Sequence, residues 1–412
     1  MDRIAPFVLQ RPATLAEAAA LLAATPGARA LAGGTDLLPN LRDGLGAPPA
    51  LVDLAGIAAL AAIAVDRDGM TIGAGVTLAR IVSDATIAGA FPVLADAAAV
   101  IAGPGHRTVA TLGGNLCLDT RCVFYNQSEW WRRANDFCLK HGGDICHVAP
   151  QGKRCHAAFA GDLAPVLLVL GAEVAIVGPE RARRLPLADL YVEDGARHLA
   201  LAPGEIIAAV RIPVQPADTR TGYRKARARG AIDFPLAGVA ARVAMNDGQL
   251  ATLRIALTGT NARPFLLDGV DALVGAAVTD EALAKLGKLV HTQVSPMRTT
   301  VTSSNYRRKV AAVLAQRLVR ELAAEPGGTG PENRRWTAAD GIHIDVRGLA
   351  PPGPLLAIVE LIESIGADVT PVIVHHERDP VLLYGELAER GWTVERVDSV
   401  PGEVRLKLGR AR

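Results

Sequence analysis

The sequence predicts an α+β protein of several domains, and three observations support that prediction. Half of the 412 residues are apolar and 4% are aromatic, which is typical of a globular chain with a large core. Short apolar runs alternate with helical patterns up to about residue 215, whereas residues 216–323 carry longer strands followed by helices. After a Pro- and Gly-rich linker at 324–335, residues 336–412 alternate strand and helix again.

Local patterns predict the elements of the first domain, residues 1–215. Thr14 is a candidate N-cap for a first helix, and a strand, a Gly-Gly turn and a second helix beginning at Asp36 are expected next. Further short strands and helices follow, including a helix that turns into a strand at Gly171. The last predicted strand ends at Pro213, and we place the domain boundary near residue 216.

The remaining two domains have clearer periodicity. Two long strands and then two helices are predicted within 216–323, and the order strand, helix, strand, helix, strand within 336–412. His375 and His376 end the second of these C-terminal strands, where we expect ordinary surface residues rather than metal ligands.

Charge and hydropathy exclude several classes of function. The formal net charge is +2, so a nucleic-acid partner is not expected. The N-terminus lacks the pattern of a secretory signal, and no apolar window reaches the roughly 18 residues of a membrane span. We therefore expect a soluble cytoplasmic protein without membrane association. In that compartment clustered cysteines are more often metal ligands than disulfides.

Two Gly-Gly turns are candidate ligand sites. "LAGGTDLL" (31–38) and "TLGGNLC" (111–117) each place adjacent glycines after an apolar lead-in. Such turns let a ligand approach the backbone, and their N–H groups can bind a pyrophosphate, although a lone Gly-Gly is more often a simple tight turn. Neither is a G-x-G-x-x-G fingerprint. Asp162, before an apolar helix, is a candidate hydroxyl acceptor, and Lys225 a candidate cation beside a ring carbonyl.

All five cysteines lie between residues 117 and 155. Four of them have the spacing C-x15-C-x7-C-x8-C, namely Cys122, Cys138, Cys146 and Cys155. Four thiolates suit one [4Fe–4S] cluster or one zinc ion. The spacing contains no C-x-x-C, which disfavours a zinc knuckle, and structural or reactive thiols are the third alternative.

The order of "LAGGTDLL", "ATLGGNL", "DLAPVLLVLGAEV", "EIIAAVRIP" and "YRKARAR" resembles the FAD-binding medium subunits of the xanthine dehydrogenase and CO dehydrogenase family of molybdenum hydroxylases. The resemblance spans residues 1 to about 320. It implies a two-part PCMH-type FAD-binding domain at 1–215 and a CO dehydrogenase flavoprotein C-terminal-like domain at 216–323. It departs from the family pattern around Gly105 and His106.

In that family the two turns clasp the FAD pyrophosphate, which implies contacts from Ala32, Gly33, Gly34, Thr35 and Asp36 and from Thr111, Gly114 and Asn115. By the same resemblance Asp162 holds the ribityl region, Ile207 packs on the flavin edge and Lys225 approaches the pyrimidine end. Substrate chemistry then belongs to partner chains, with no catalytic residue on this one.

The cysteines lie in an insertion at about 118–156, which we call the cysteine insertion. It resembles the insertion of the 4-hydroxybenzoyl-CoA reductase β subunits within the family. That resemblance implies a [4Fe–4S] cluster held by Cys122, Cys138, Cys146 and Cys155, with Cys117 outside the ligand set. His141, His147 and His156 are then solvated or lie behind the ligands.

The resemblance also implies partners and an activity. The partners are a molybdopterin-containing large subunit and a [2Fe–2S] small subunit, in a dimer of heterotrimers, with reduced ferredoxin as electron donor. The complex would reductively remove the phenolic hydroxyl group of 4-hydroxybenzoyl-CoA. A related hydroxylase that passes electrons outward, and a non-redox scaffold with structural zinc, are the alternatives.

Basic residues in the cysteine insertion suggest where an acidic carrier docks. Arg132, Arg133 and Lys140 stand beside Trp130 and Trp131. Exposed basic charge there would steer ferredoxin, although the same charges are also expected in a merely solvated insertion. The two tryptophans are expected to cover the cluster or a partner surface.

The stretch 336–412 resembles the TusA-like sulfur-carrier fold, an α/β sandwich, and more closely small domains of unknown role with "DVRGL" near their start. True sulfur carriers place a cysteine in the following turn. Here that turn is Leu349-Ala350-Pro351-Pro352, so persulfide transfer is not expected and a docking or regulatory role remains.

Overall fold

A computed structural model describes residues 4–324, 335–347, 349, 353–365, 370–377, 379–399 and 403–410. The chain forms two compact units, Met1–Ala323 and Ala324–Arg412. Within the described ranges no helix combines the length and the apolar character that crossing a bilayer requires.

The first unit begins with a small parallel sheet of order β1-β3-β2. Its elements are β1 (Val8–Gln10), α1 (Leu15–Ala24), β2 (Arg29–Leu31), α2 (Leu37–Arg42) and β3 (Ala50–Asp53). The Thr14 hydroxyl accepts a hydrogen bond from Glu17 N at 3.1 Å, which confirms the predicted N-cap. The first Gly-Gly turn connects β2 to α2.

An antiparallel sheet of order β4-β5-β8-β6-β7 follows. Its strands are β4 (Ile63–Asp66), β5 (Gly69–Gly73), β6 (Glu173–Val177), β7 (Ala182–Pro186) and β8 (Ile206–Pro213). The helices along this part of the chain are α3 (Leu78–Ser83), α4 (Ala85–Ala90), α5 (Pro92–Ala99), α6 (Pro104–Arg107), α7 (Leu112–Leu116), α8 (Glu129–Ala134) and α9 (Leu163–Val169). Every residue of α9 is buried, so this helix is the centre of the main core.

The last part of the first unit is an antiparallel sheet of order β12-β11-β10-β9, with two helices packed on it. Its elements are β9 (Arg220–Ala226), β10 (Ala237–Asn246), β11 (Gln249–Thr258), β12 (Phe265–Leu266), α10 (Asp280–Gln293) and α11 (Ser304–Ala323). α9 also packs against β10 and β11, so both parts belong to one compact unit. A domain boundary near residue 216 stays a prediction.

The second unit is a mixed sheet of order β13-β14-β15-β17-β16, in which β14 and β15 are parallel. Its elements are β13 (Arg335–Ala338), β14 (Gly341–Asp345), α12 (Gly353–Ile365), β15 (Val372–His376), α13 (Val381–Glu389), β16 (Trp392–Val397) and β17 (Val404–Arg410). The predicted strands and helices are present, and β13 and β16 are added at the two edges. Residues 350–352 of the predicted turn and 325–334 of the linker lie outside the described residues, and the TusA-like assignment stays a prediction.

His375 and His376 are not surface residues. Their exposed fractions are 6% and 5%. The expectation was wrong because β15 is the central strand, with β14 and β17 along its two edges, and because the Trp336 ring packs over His375.

Candidate functional site

The two Gly-Gly turns lie side by side. A Cβ added to Gly114 would stand 3.9 Å from the Ala32 Cβ, and one added to Gly33 would stand 2.0 Å from the Val109 carbonyl oxygen. Gly33 therefore cannot carry a side chain without moving the backbone that leads into the second turn. Gly34 has φ +69°, a conformation that favours glycine. We call these paired turns, residues 31–38 and 111–117, the glycine clasp.

The second turn is fixed by its own hydrogen bonds. Thr111 Oγ1 accepts from Gly114 N at 3.1 Å, and Gly113 N donates to Ala74 O at 2.8 Å. Asn115 N donates to Thr111 O, while the Asn115 side-chain oxygen accepts from Leu163 N at 3.1 Å. This last bond ties the turn to the start of α9.

The first turn, in contrast, is not fixed by hydrogen bonds of this kind. Among the described residues, the peptide N–H groups of Gly33, Gly34 and Thr35 have no backbone acceptor. Such N–H groups in a glycine turn can bind an anion. The N–H groups without a backbone acceptor are therefore in the first turn, whereas those of the second turn are used within the fold.

Asp162 and Lys225 form one buried ion pair. Lys225 Nζ lies 3.0 Å from the Asp162 carboxylate, and the Tyr223 hydroxyl donates to the same carboxylate at 2.6 Å. Burial raises the pKa of Asp162, against the opposing effects of Lys225 and Tyr223. Lys225 also donates to Val100 O at 3.3 Å. The sequence assigned the two charged residues separate roles, whereas the structure joins them.

Tyr223 is a site residue that the sequence reasoning missed. It is two positions before Lys225 in β9, so the period of two along a strand places both side chains on one face. That spacing was the available signal. Ile207 is buried in β8, and the next residue, Ala208, accepts a hydrogen bond from Ala74 N at 2.9 Å. Ile207 therefore lies in the strand behind the second turn.

Arg121 is the second missed residue. Its guanidinium forms a short ion pair with Asp36 and donates to the Asn40 side-chain oxygen at 3.0 Å. Burial raises the pKa of Asp36, and the charge of Arg121 opposes that rise. Because Arg121 belongs to the cysteine insertion and Asp36 to the glycine clasp, this pair joins the two regions.

The base of the cysteine insertion is closed by the main chain. Arg121 and Ala158 exchange two backbone hydrogen bonds, of 2.7 and 2.8 Å. The chain therefore leaves and re-enters the first unit at one place, directly beside the glycine clasp. This proximity could not be read from the sequence, because an insertion of this length can also reach a distant surface.

Four cysteines of the insertion line one small cavity, which we call the thiol cavity. They are Cys122, Cys138, Cys146 and Cys155, with Phe124, Tyr125, Leu139, Lys140 and His147 completing the lining. Burial raises the pKa of Cys155 to about 11 and also raises the pKa of Cys122. Within the described residues, no three His, Cys, Asp or Glu side chains converge closely enough to hold a single metal ion.

Backbone groups around the thiol cavity point at sulfur. Phe124 N donates to Cys122 Sγ, and Ala157 N donates to Cys155 Sγ, each at 3.4 Å. Asp136 and Phe137, just before Cys138, have φ of 55° and 57°, which is a strained conformation for residues with side chains.

Cys117 has a different environment from the other four thiols. It packs against the main core of the first unit, and burial raises its pKa to about 12. The histidines of the insertion lie around the cavity: His147 lines it and bonds to Phe137 O at 2.5 Å, while the His141 ring contacts Tyr125. His156 is half-buried.

Two of the three predicted docking residues are buried, which corrects the expectation of a basic surface. Arg132 is 2% exposed, and its guanidinium donates to three backbone carbonyls, including Gly44 O at 2.8 Å. The Lys140 side chain is 6% exposed and pairs with Asp119 at 2.8 Å. Both cations hold the insertion together because buried carbonyls and carboxylates need donors. Trp130, at 77% exposed, does not cover the thiol cavity.

Family comparisons cover both units. The model described as "FAD binding domain in molybdopterin dehydrogenase" matches residues 5–215, and "CO dehydrogenase flavoprotein C-terminal domain" matches residues 221–322. Residues 343–410 match an uncharacterised conserved family, DUF2249.

Similar proteins of known activity span most of the chain. The carbon monoxide dehydrogenase medium chain of Afipia carboxidovorans is 30% identical over 77% of this chain and 97% of its own length. The xanthine dehydrogenase FAD-binding subunit of Escherichia coli O157:H7 is 27% identical over 77% of this chain and 96% of its own.

Solved structures show the same fold. A chain of the reconstituted CO dehydrogenase from Oligotropha carboxidovorans superposes with a TM-score of 0.65 at 27% identity, covering 78% of this chain and 99% of that one. A chain of quinoline 2-oxidoreductase from Pseudomonas putida 86 gives a TM-score of 0.62 at 26% identity, covering 78% and 98%.

Proposed function

Because this chain belongs to the FAD-binding medium subunits of the xanthine dehydrogenase and CO dehydrogenase family of molybdenum hydroxylases, we propose that it is an electron-transfer subunit with FAD and a [4Fe–4S] cluster. The activity we propose for its complex is that of a 4-hydroxybenzoyl-CoA reductase. The observation that carries this proposal is the thiol cavity, in which four cysteines of one insertion meet beside the glycine clasp. When bound, the flavin exchanges one or two electrons and the cluster one.

The glycine clasp fits the diphosphate of FAD. The N–H groups of Gly33, Gly34 and Thr35 can donate to phosphate oxygens. Because Gly114 has no side chain, space remains between it and Ala32, where the two turns meet. In this proposal Asp36, Thr111 and Asn115 support the clasp, since their own hydrogen bonds hold the two turns and the start of α9.

The Asp162–Lys225 pair fits the flavin half of the cofactor. Both side chains are almost fully buried, so each needs the other's charge and Tyr223 to remain in the core. In this proposal the pair orients Lys225 toward the pyrimidine carbonyl and Asp162 toward the ribityl chain. Ile207 supplies an apolar wall from β8.

The thiol cavity fits a cluster better than a single zinc ion. A zinc ion needs four sulfurs at about 2.3 Å from one point, whereas a cubane separates its ligands around a larger body. The described thiols surround a cavity without converging on one point. The N–H groups of Phe124 and Ala157 would stabilise ligand sulfur, as hydrogen bonds to the sulfurs do in iron–sulfur sites.

Partner chains complete the proposed enzyme. They are a molybdopterin-containing large subunit and a [2Fe–2S] small subunit, assembled as a dimer of heterotrimers in the cytoplasm. Reduced ferredoxin is the proposed donor. The second candidate is a hydroxylase of the same family that passes electrons outward, which is favoured by the dehydrogenase activity named for the relatives.

Metal analysis and spectroscopy of anaerobically purified protein test the cofactors. We expect flavin absorption bands, a broad iron–sulfur shoulder near them, and about four irons per chain. Flavin with stoichiometric zinc and no iron would overturn the cluster. Assay of the purified complex with reduced ferredoxin and 4-hydroxybenzoyl-CoA then tests the activity, and oxidation of a substrate without ferredoxin consumption would favour the hydroxylase.

A further inference from the structure

A pair of histidines faces each other in the second unit, independently of the flavin and thiol sites. Trp336 pairs with His343 across β13 and β14, and His375 pairs with Arg405 across β15 and β17. These positions share one face of the sheet. The opposite face carries the apolar residues that pack against α12 and α13, such as Ile344. The two histidines therefore lie outside the helix-covered core.

The two imidazoles form the middle of a hydrogen-bonded chain. His343 Nδ1 and His375 Nε2 are 2.9 Å apart. The other nitrogen of His343 lies 2.9 Å from Asp340 Oδ1, and the other nitrogen of His375 lies 2.5 Å from Glu403 Oε1. Both imidazoles are thus held between a carboxylate and one another.

The carboxylates determine where the imidazole protons lie. A neutral imidazole has one N–H, and a neighbouring carboxylate accepts only from a protonated nitrogen. In the tautomers in which His343 donates to Asp340 and His375 donates to Glu403, both N–H groups of the two neutral rings are used. The 2.9 Å contact between the facing nitrogens then requires one further cation, either a proton or a metal ion.

This arrangement is the one found around metal-binding histidines. A ligating histidine usually donates its remote N–H to a carboxylate, which orients the ring and makes the ligating nitrogen more basic. Here two histidines have that partner, and their other nitrogens face each other at 2.9 Å. Glu403 is itself buried and held by Arg405 at 3.0 Å, so this support is rigid.

We propose that His343 Nδ1 and His375 Nε2 bind a divalent first-row transition metal that prefers imidazole, such as Zn²⁺ or Cu²⁺. In a tetrahedral site with bonds of about 2.0–2.1 Å, two nitrogens stand roughly 3.3 Å apart, so the pair opens by only a few tenths of an ångström. Without metal the two nitrogens are joined directly at 2.9 Å, and metal binding would replace that hydrogen bond.

The site has open positions and an entrance. No third His, Cys, Asp or Glu in the described part of the chain joins the pair, so water or an external donor completes the coordination. Trp336 covers the pair, with its ring 5.0 Å from His343 and 5.1 Å from His375, and its exposed fraction is 43%. Displacement of this exposed side chain uncovers the two rings, with Arg405 beside them on the same face.

Equilibrium dialysis of the full-length, FAD- and cluster-loaded chain against Zn²⁺ tests the proposal. We expect one Zn²⁺ site that is lost in His343→Gln and in His375→Gln. Asp340→Asn, at an exposed position that does not endanger folding, should weaken binding roughly 10- to 100-fold, because the carboxylate that orients His343 is removed. His376→Gln is the matched control, since the adjacent side chain lies on the other face of β15.

Electron paramagnetic resonance of the unmodified chain with one equivalent of Cu²⁺ identifies the ligands without any substitution. Coupling to two imidazole nitrogens is expected. The proposal is overturned if Cu²⁺ shows no nitrogen ligands, if folded His343→Gln and His375→Gln retain the Zn²⁺ site, or if His376→Gln loses it equally.

Discussion

The glycine clasp and the cysteine insertion adjoin in the first unit but are built in opposite ways. The clasp depends on the absence of side chains: Gly33 lies so close to the Val109 backbone, and Gly113 so close to Ala74, that an added Cβ would collide. The insertion depends on side chains, because buried Arg132 and Lys140 supply the donors that hold its loops. The glycine clasp is therefore a rigid backbone site, local in sequence. The cysteine insertion, in contrast, is held together by residues that are distant in sequence.

The two regions should therefore respond differently to substitution. Changing one thiol affects the contents of the thiol cavity and leaves the clasp backbone in place. Filling the space at a clasp glycine affects the flavin and leaves the thiols in place. Arg121 is the described contact whose loss should affect both, since it joins Asp36 to the base of the insertion.

The largest expected effect is that of Cys138→Ser. Cys138 lines the thiol cavity, so loss of its thiolate should remove most of the iron while FAD stays bound. Iron and flavin content per chain are the measurements. Cys117→Ala is the control and should keep its iron, because Cys117 packs in the main core. Iron lost from the control and kept in Cys138→Ser would show that the ligand set is wrong.

A second substitution, Gly114→Ala, should weaken FAD binding without loss of iron. The added Cβ would stand 3.1 Å from Thr111 Oγ1 and fill the seam beside Ala32. Overpacking of about 1–3 kcal/mol corresponds to roughly 5- to 150-fold weaker binding. Flavin release on dilution measures the affinity for FAD. Gly89→Ala, with nothing within 4 Å of its Cβ, is the matched control. Unchanged flavin affinity in Gly114→Ala would remove the second turn from the site.

Arg121→Gln should have a smaller effect on both regions at once. It leaves Asp36 half-buried without its cation, which costs about 1–3 kcal/mol of unfolding free energy. The flavin and iron contents per chain should both fall partially. Arg42→Gln, which removes an exposed charge from α2, is the control. A loss confined to one cofactor would show that the two regions are independent.

The same substitution has a pH signature. Burial raises the folded pKa of Asp36 above its ordinary value, so unfolding free energy decreases as pH rises through the interval between the ordinary and the folded pKa. Arg121 opposes the rise, so Arg121→Gln should raise the folded pKa further and deepen this decrease. Denaturant titrations between about pH 4 and pH 7 measure this decrease in unfolding free energy. If the unfolding free energy of Arg121→Gln followed pH in the same way as that of the unmodified chain, the prediction would be contradicted.

Much of this organisation could be predicted from the sequence because it is local. The cap at Thr14, the turn at Gly171 and the periodic helices α10 and α11 depend on neighbours within a few residues. Edge strands β13 and β16 were missed because short, half-exposed strands have weak patterns. The glycine pairs also have a local signature, which explains why the clasp was found.

The contacts between distant residues could not be predicted. Arg121 meets Asp36 across 85 positions, and Asp162 meets Lys225 across 63 positions. No sequence spacing predicts either pair, because both depend on how α2, α9 and β9 pack against their neighbours. Burial of Arg132 was missed for the same reason: a basic residue in a polar stretch suggests solvent, unless its acceptors are known.

The smallest expected effect concerns ferredoxin docking. Of the three basic residues proposed for it, Arg133 alone is exposed, and it pairs with Glu129 at 2.8 Å on the same face of α8. An exposed pair of opposite charges is worth about 0–1 kcal/mol and adds little net field. Replacing both members of the pair, in Glu129→Gln with Arg133→Gln, keeps the net charge and should therefore change the rate of ferredoxin-dependent flavin reduction by less than about twofold, with the salt dependence unchanged. Arg132→Glu cannot serve as this probe, because it would bury a carboxylate among backbone carbonyls and disrupt the insertion. A tenfold slower rate in this charge-neutral double variant, with reduction by a small neutral dye unaffected, would make the insertion the docking surface after all and would give it a second role beyond enclosing the thiols.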